Sequence, residues 1–142
     1  MGNTVFTTVR VSGFEDALDA IERELSTCIM DLDSGQVDLE RLDEVAPSVL
    51  WSSGTLLWLE REPYKTMMTI IFRTDWESPS DAIEHLSGRF PRTVLVASSG
   101  DPMAKWRHLY MATSGQLTSI DRDDDWDAFE PEEDDDASEV LS

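Results

Sequence analysis

From Thr4 to Ser12 the chain places Val5, Thr7, Val9 and Val11 on one parity within a run of high β-propensity, which predicts a strand; only Phe6 breaks the alternation. After Ser12-Gly13 the apolar spacing lengthens. Phe14, Ala17, Leu18, Ile21 and Leu25 recur at three- and four-residue intervals while Glu15, Asp16, Asp19, Glu22 and Arg23 fall elsewhere, so an amphipathic helix of about four turns follows. Residues 28–55 carry weaker patterns: a turn at Asp33-Ser34-Gly35, a short helix over Leu39 to Val45 stopped before Pro47, and a second turn at Ser52-Ser53-Gly54. Leu56 to Glu60 and Thr66 to Arg73 read as successive strands joined by a turn containing Pro63. The unbroken run Met67 to Phe72 predicts a central, well-buried position for the second of them.

Ser78-Pro79-Ser80-Asp81 opens the next helix, with Ser78 expected as N-cap, Pro79 at the first helical position and Asp81 favourable near the dipole. Ala82, Ile83, Leu86 and Phe90 form its apolar stripe, and Gly88 and Pro91 end it. Thr93 to Ala97 is the following strand, and Trp106 to Thr113 pairs with Leu117 to Ile120 across Ser114-Gly115. The order β-α-β-β-α-β with a C-terminal β extension predicts an α+β fold, a ferredoxin-like sandwich in which two helices cover one face of an antiparallel sheet. An edge strand such as Trp106 to Thr113 would suit pairing of two chains, so both a monomer and a homodimer are compatible with the pattern.

Charge divides the chain further. Residues 121–142 hold twelve of the thirty carboxylates against Arg122 alone, and residues 1–120 hold ten bases and eighteen acids, within a total of −19. Like-charge blocks resist folding, which predicts one domain over 1–120 followed by a disordered or conditionally ordered acidic tail over 121–142. Such a surface gains nothing from counterion release, so direct nucleic-acid binding and docking on anionic lipid are disfavoured, and basic proteins are the natural counterparts. Cys28 is the single cysteine, no stretch approaches the roughly 20 apolar residues of a membrane span, and Met1 to Gly13 lacks a secretory signal; a reducing cytoplasm is the expected compartment.

Motifs for chemistry are sparse. His85 and His108 show no metal-binding spacing, the seven glycines are dispersed, and Cys28 continues an apolar helix face, so no metal, cofactor or catalytic residue is expected. Asp121, Asp123, Asp125, Asp127 and Glu132 follow the ligand spacing of a calcium loop, but Trp126 stands where glycine is needed and flanking helices are missing. Trp126 and Phe129 instead interleave rings with acids. A segment of that kind suits a basic, apolar groove, with carboxylates steering and rings anchoring. The candidate partner-binding residues are Asp121, Asp123, Asp124, Asp125, Asp127, Glu130, Glu132, Glu133, Asp134, Asp135 and Asp136 for steering, with Trp126 and Phe129 for anchoring. Trp76, at a strand-to-helix junction, is expected either to seal the core edge or to stand as an exposed anchor.

The stretch Phe72-Arg73-Thr74-Asp75-Trp76-Glu77-Ser78-Pro79, then Leu86-Ser87-Gly88-Arg89-Phe90-Pro91 and the strand-turn Tyr110 to Gly115, resembles the YubB-like ferredoxin-like proteins of bacterial plasmids and phages. Val37 to Leu42, with Pro47 after it, is similar to the segment before that family's second strand. Ser78-Pro79 stands here for a double proline, and the acid-rich turn before the last strands is reduced to Asp101. The resemblance covers roughly residues 37–117 and implies a ferredoxin-like fold in a mobile-element protein; that family's activity is poorly defined, so it transfers no catalytic residue. With the charge, it yields the expectation of a non-catalytic inhibitor that binds a basic nucleic-acid-handling protein and blocks its DNA or RNA site, in the manner of an anti-CRISPR or anti-restriction mimic. The alternatives are an acidic binding module or salt-adapted protein with no inhibitory role, and an enzyme working on the open face of the sheet.

Overall fold

A computed structural model describes residues 4–61, 66–101 and 106–123. The chain begins with β1 (Thr4–Ser12) and α1 (Glu15–Ser26), followed by the short pair β2 (Ile29–Asp31) and β3 (Gln36–Val37) and then α2 (Leu39–Val45). Next come β4 (Leu56–Arg61), β5 (Met67–Asp75), α3 (Ser80–Arg89), β6 (Val94–Asp101), β7 (Trp106–Thr113) and β8 (Gln116–Asp123). Among the described residues the strands form one antiparallel sheet of eight, in the order β2-β3-β4-β5-β1-β6-β7-β8.

Strand parity decides which residues meet the helices. Val5, Thr7, Val9 and Val11 of β1 lie opposite Thr74, Phe72, Ile70 and Met68 of β5, and all eight are buried. On the other side β6 continues this layer with Leu95, Ala97 and Ser99, and β7 with Tyr110 and Ala112. Against it pack Leu18, Ile21 and Leu25 of α1, Leu42 and Val45 of α2, and Ala82, Ile83 and Leu86 of α3, nearly all within a single apolar cluster. Burial of each large apolar side chain contributes about 1.5–3 kcal/mol, which makes this layer the main source of stability.

The α+β class and antiparallel sheet are as expected, but the layer over the sheet contains a third helix. α2 exists because the hairpin β2-β3 extends the sheet beyond β4 and leaves a margin that Leu42, Val45 and Ala46 cover; Asp38 caps it, accepting from the backbone N–H groups of Glu40 and Arg41. Gly35 makes the β2-β3 turn possible, since its φ of 78° is left-handed and its carbonyl accepts from the Leu57 N–H.

Other expectations need correction. Ser78 does not cap α3, because Pro79 occupies that position and the Ser78 hydroxyl turns inward to Thr7 and Tyr110. β7 is an interior strand, paired on both sides, and β8 is the edge. β8 also runs to Asp123, three residues past the expected strand end. Finally, the Met67–Phe72 run is not buried on both sides: exposure alternates along β5 because the described helices cover one face alone.

Candidate functional site

That uncovered face is built from the alternate residues of the central strands. The register aligns them in rows that cross the sheet. One row runs Leu56, Arg73, Phe6, Gly100 and Arg107. The next runs Trp58, Ile71, Thr8, Ser98, Leu109 and Asp121, and the third Glu60, Thr69, Arg10, Val96, Met111 and Thr118. Phe6 is 51% exposed, Met67 44% and Val94 40%, while Trp58, Ile71, Val96, Leu109 and Met111 are half-buried by their neighbours in the sheet. Thr8, Ser98, Thr69 and Arg10 interrupt these apolar side chains, so the face mixes apolar and polar groups; an open face with exposed large apolar residues is a candidate interaction surface.

Three arginines stand among these side chains. Arg73 donates to the carbonyl of Gly54 and lies 3.6 Å from Asp75, and Arg107 lies 3.5 Å from Asp121. Arg10, exposed at the centre of the sheet between Thr69 and Val96, has no carboxylate partner among the described residues. Arg41, Arg61, Arg89 and Arg92 on the helical side each hold a carboxylate.

Of the expected partner-binding residues, Asp121 and Asp123 lie on β8, with Asp121 exposed beside Arg107. Asp124, Asp125, Trp126, Asp127, Phe129, Glu130, Glu132, Glu133, Asp134, Asp135 and Asp136 fall outside the described residues. Trp76 sits at the apex between β5 and α3 with a φ of 76° and is 58% exposed. The Glu77 N–H donates to the Asp75 carbonyl and the Thr74 hydroxyl to the Glu77 carbonyl, which folds the backbone around residue 76 and turns its ring outward. The indole therefore does not seal the core edge. A left-handed tryptophan is costly, and such outliers cluster at recognition sites.

Beneath that junction lies a polar knot. The Thr7 hydroxyl donates to Ser78 at 3.2 Å, the Ser78 and Tyr110 hydroxyls share a hydrogen bond, and the His108 ring packs 4.8 Å from Tyr110 with Nε2 2.9 Å from the Ser119 hydroxyl. Burial pushes the Tyr110 phenol far above its ordinary range; the bond to Ser78 opposes this and the Asp81 charge adds to it. A tyrosine so placed stays neutral, and its hydroxyl ties β1, the α3 entry loop and β7 together. Cys28 is buried after α1, and burial raises its thiol pKa, with its bond to Thr27 and the Arg41 charge opposing. A thiol so protected is a poor nucleophile.

Depressions lined by described residues include the following two. One, of about 660 Å³, is lined by Pro47, Asp81, Glu84, His85, Gly88, Arg89 and Gly115; Asp81 is engaged there, accepting from the Ser48 hydroxyl at 2.7 Å and the Val49 N–H at 3.0 Å. The other, of about 320 Å³, follows β4 beside Glu22, Ser26, Ile29 and Leu32. No group of three or more His, Cys, Asp or Glu side chains among the described residues is arranged to hold a metal, and no described helix is long and apolar enough to cross a membrane. The sequence reading named an open sheet face only as the place for an enzyme and assigned none of its residues, although Phe6 off parity in β1 and the two-sided apolar run of β5 were its signals. Compared with protein-family models, curated proteins and solved structures, the chain matches none.

Proposed function

We propose that this chain is a protein-binding module that engages a basic nucleic-acid-handling protein and occupies its DNA or RNA channel, acting by occlusion rather than by catalysis. The observation that carries the reading is the charge distribution: a net charge of −19, with Arg41, Arg61, Arg73, Arg89, Arg92 and Arg107 already holding carboxylates. A surface with that excess is steered toward a cationic groove over distances set by the Debye length, about 8 Å at physiological ionic strength. Grooves that take single-stranded nucleic acid pair cations with stacking platforms, and Trp126 and Phe129 among acids match both features.

The proposal includes a ferredoxin-like scaffold. Its support is the nested order β4-β5-β1-β6, in which each β-α-β unit encloses a strand of the other, with β2-β3, α2 and β7-β8 as additions at the two margins. Descent from the plasmid and phage proteins that residues 37–117 resemble belongs to the same proposal, as does inhibition of a nucleic-acid-directed defence system.

The test is capture from a bacterial lysate on the full chain and on a full-length variant with Asp124, Asp125, Asp127 and Glu130 changed to their amides. The expected result is recovery of nucleic-acid-binding proteins that elute with single-stranded DNA and weaken by orders of magnitude between about 0.05 M and about 0.2 M salt. Capture that ignores the four neutralisations, or that added DNA does not displace, overturns the reading.

A further inference from the structure

We propose that the open sheet face is a docking surface for the chain's own segment Asp124 to Phe129, with Trp126 seated over Gly100 and Phe129 over Ile71. The docking itself is independent of any partner.

The segment starts at the margin of that face. β8 ends at Asp123, opposite Arg107, in the row that continues through Gly100, Phe6, Arg73 and Leu56. Neighbouring strands lie about 4.8 Å apart. A chain in the polyproline-II conformation advances about 3.1 Å per residue with about three residues per turn, which puts residues three apart on the same side. Gly100 is two strands from Asp123, about 10 Å, and Trp126 is three residues on, about 9 Å of chain. β5 is four strands away, about 19 Å, and Phe129 is six residues on, about 19 Å. The spacing of the two rings thus matches the spacing of the places that could receive them.

Shape and charge agree with the reach. Gly100 leaves the row without a side chain between Arg107 and Phe6, so a ring laid there meets backbone below and Phe6 at its edge, and it buries surface that is otherwise wet. Asp124, Asp125 and Asp127 bring carboxylates to a face where Arg107 and Arg73 already hold Asp121 and Asp75 and where Arg10 has no carboxylate partner among the described residues. A second copy is a poorer occupant, because stacking two such chains face to face brings together two charges of −19. If the proposed function holds, the docked state withholds Trp126 and Phe129 from the basic partner, which must displace them; this consequence, unlike the docking, rests on that function.

Methyl NMR on the full-length protein tests the inference. In the unaltered chain, ring-current shifts are expected at the methyls of Ile71 and Leu109, the open-face methyls within reach of the two rings; in full-length Trp126→Ala/Phe129→Ala they are lost, while those of Ile70 and Leu95 on the helical face stay in place. Arg10→Glu is expected to weaken the shifts partly, as is raising salt from about 0.1 M to about 1 M, which shortens the Debye length from about 10 Å to about 3 Å. Both tail substitutions lie outside the described fold, and the Ile70 and Leu95 methyls report that it is intact. Open-face methyls that are identical in the two proteins overturn the proposal. So do shifts that grow with protein concentration, which would seat a second copy there. Failure to capture any basic protein leaves this result untouched.

Discussion

The two faces of this sheet are made from alternate residues of the same strands, yet they are different kinds of surface. On the helical face Val9, Ile70, Phe72, Leu95 and Tyr110 are fully enclosed by α1, α2 and α3. On the other, Phe6, Met67 and Val94 are comparable in chemistry and nearly half accessible. Apolar composition alone therefore does not identify the core; what covers a face does. The enclosed face carries stability, and the open face is free to carry recognition.

The contrast is broken most forcefully at Phe72, which is enclosed and stacks on Trp51 at 5.5 Å between ring centroids. Phe72→Ala is expected to destabilise by about 3–5 kcal/mol, since it removes an aromatic from a site the surrounding helices cannot collapse into. Urea unfolding followed by circular dichroism measures it, and a loss near the average for surface changes would show that the enclosed layer is looser than its burial implies.

Gly35→Ala comes next and tests how the margin is held. The backbone there is left-handed, and a Cβ would lie 2.7 Å from Cε2 of Trp58. Left-handed strain costs about 1–2 kcal/mol for an L-residue, and displacing the indole adds to it. The effect should concentrate in β2, β3 and the Leu57 amide, which donates to the Gly35 carbonyl, so hydrogen exchange is the sharper readout: faster exchange at Leu57 with unchanged exchange at Val9 is the expected outcome.

Tyr110→Phe probes the polar knot. Removing the hydroxyl leaves Ser78 with Thr7 alone and costs about 1 kcal/mol at neutral pH. The pH dependence follows from linkage. The folded state holds the phenol proton above the ordinary tyrosine range, so in alkali the unfolded chain ionises first and binds fewer protons. Stability is then complete below about pH 10 and falls as pH rises beyond it. The raised Cys28 thiol contributes with the same sign from a lower pH, and it does so in both proteins. Unfolding free energies of the two proteins should converge between pH 8 and pH 11; a constant gap would mean that Tyr110 ionises normally and that the knot is open to water.

How much of this was legible in the sequence depended on whether burial followed periodicity. β1, α1 and α3 read correctly because one parity, or one helical stripe, is apolar and the rest is not. The pairing of β7 with β8 read correctly from Ser114-Gly115 between them, though not the interior place of β7 or the length of β8. The residues of the open face did not: in β5, Ile71 beside Ile70 and Phe72 mimics a strand buried on both sides, and periodicity does not report whether a helix lies above. Ser78 misled for a local reason, because a serine before Pro79 has the chemistry of a cap and the competing hydroxyls, Thr7 and Tyr110, are distant in sequence. Asp121 and Asp123 joined the acidic run by composition, although β8 continues through them by pairing with Leu109 and Arg107.

The smallest expected effect on stability decides most about the comparison. Phe6→Ser removes a ring as large as that of Phe72, but about half of the residue's surface is already in water, so the transfer loss is about 1 kcal/mol or less. No cavity term applies, because nothing described lies above the ring. Beside Phe72→Ala this predicts a several-fold difference between two phenylalanines one strand apart and on opposite faces. The value is also diagnostic in the other direction. If Phe6→Ser costs more than about 2 kcal/mol, the ring is enclosed in solution by something beyond the described residues. Combining it with Trp126→Ala then tells what encloses it: a double-mutant coupling energy above about 0.5 kcal/mol identifies the chain's own segment, and strict additivity excludes it.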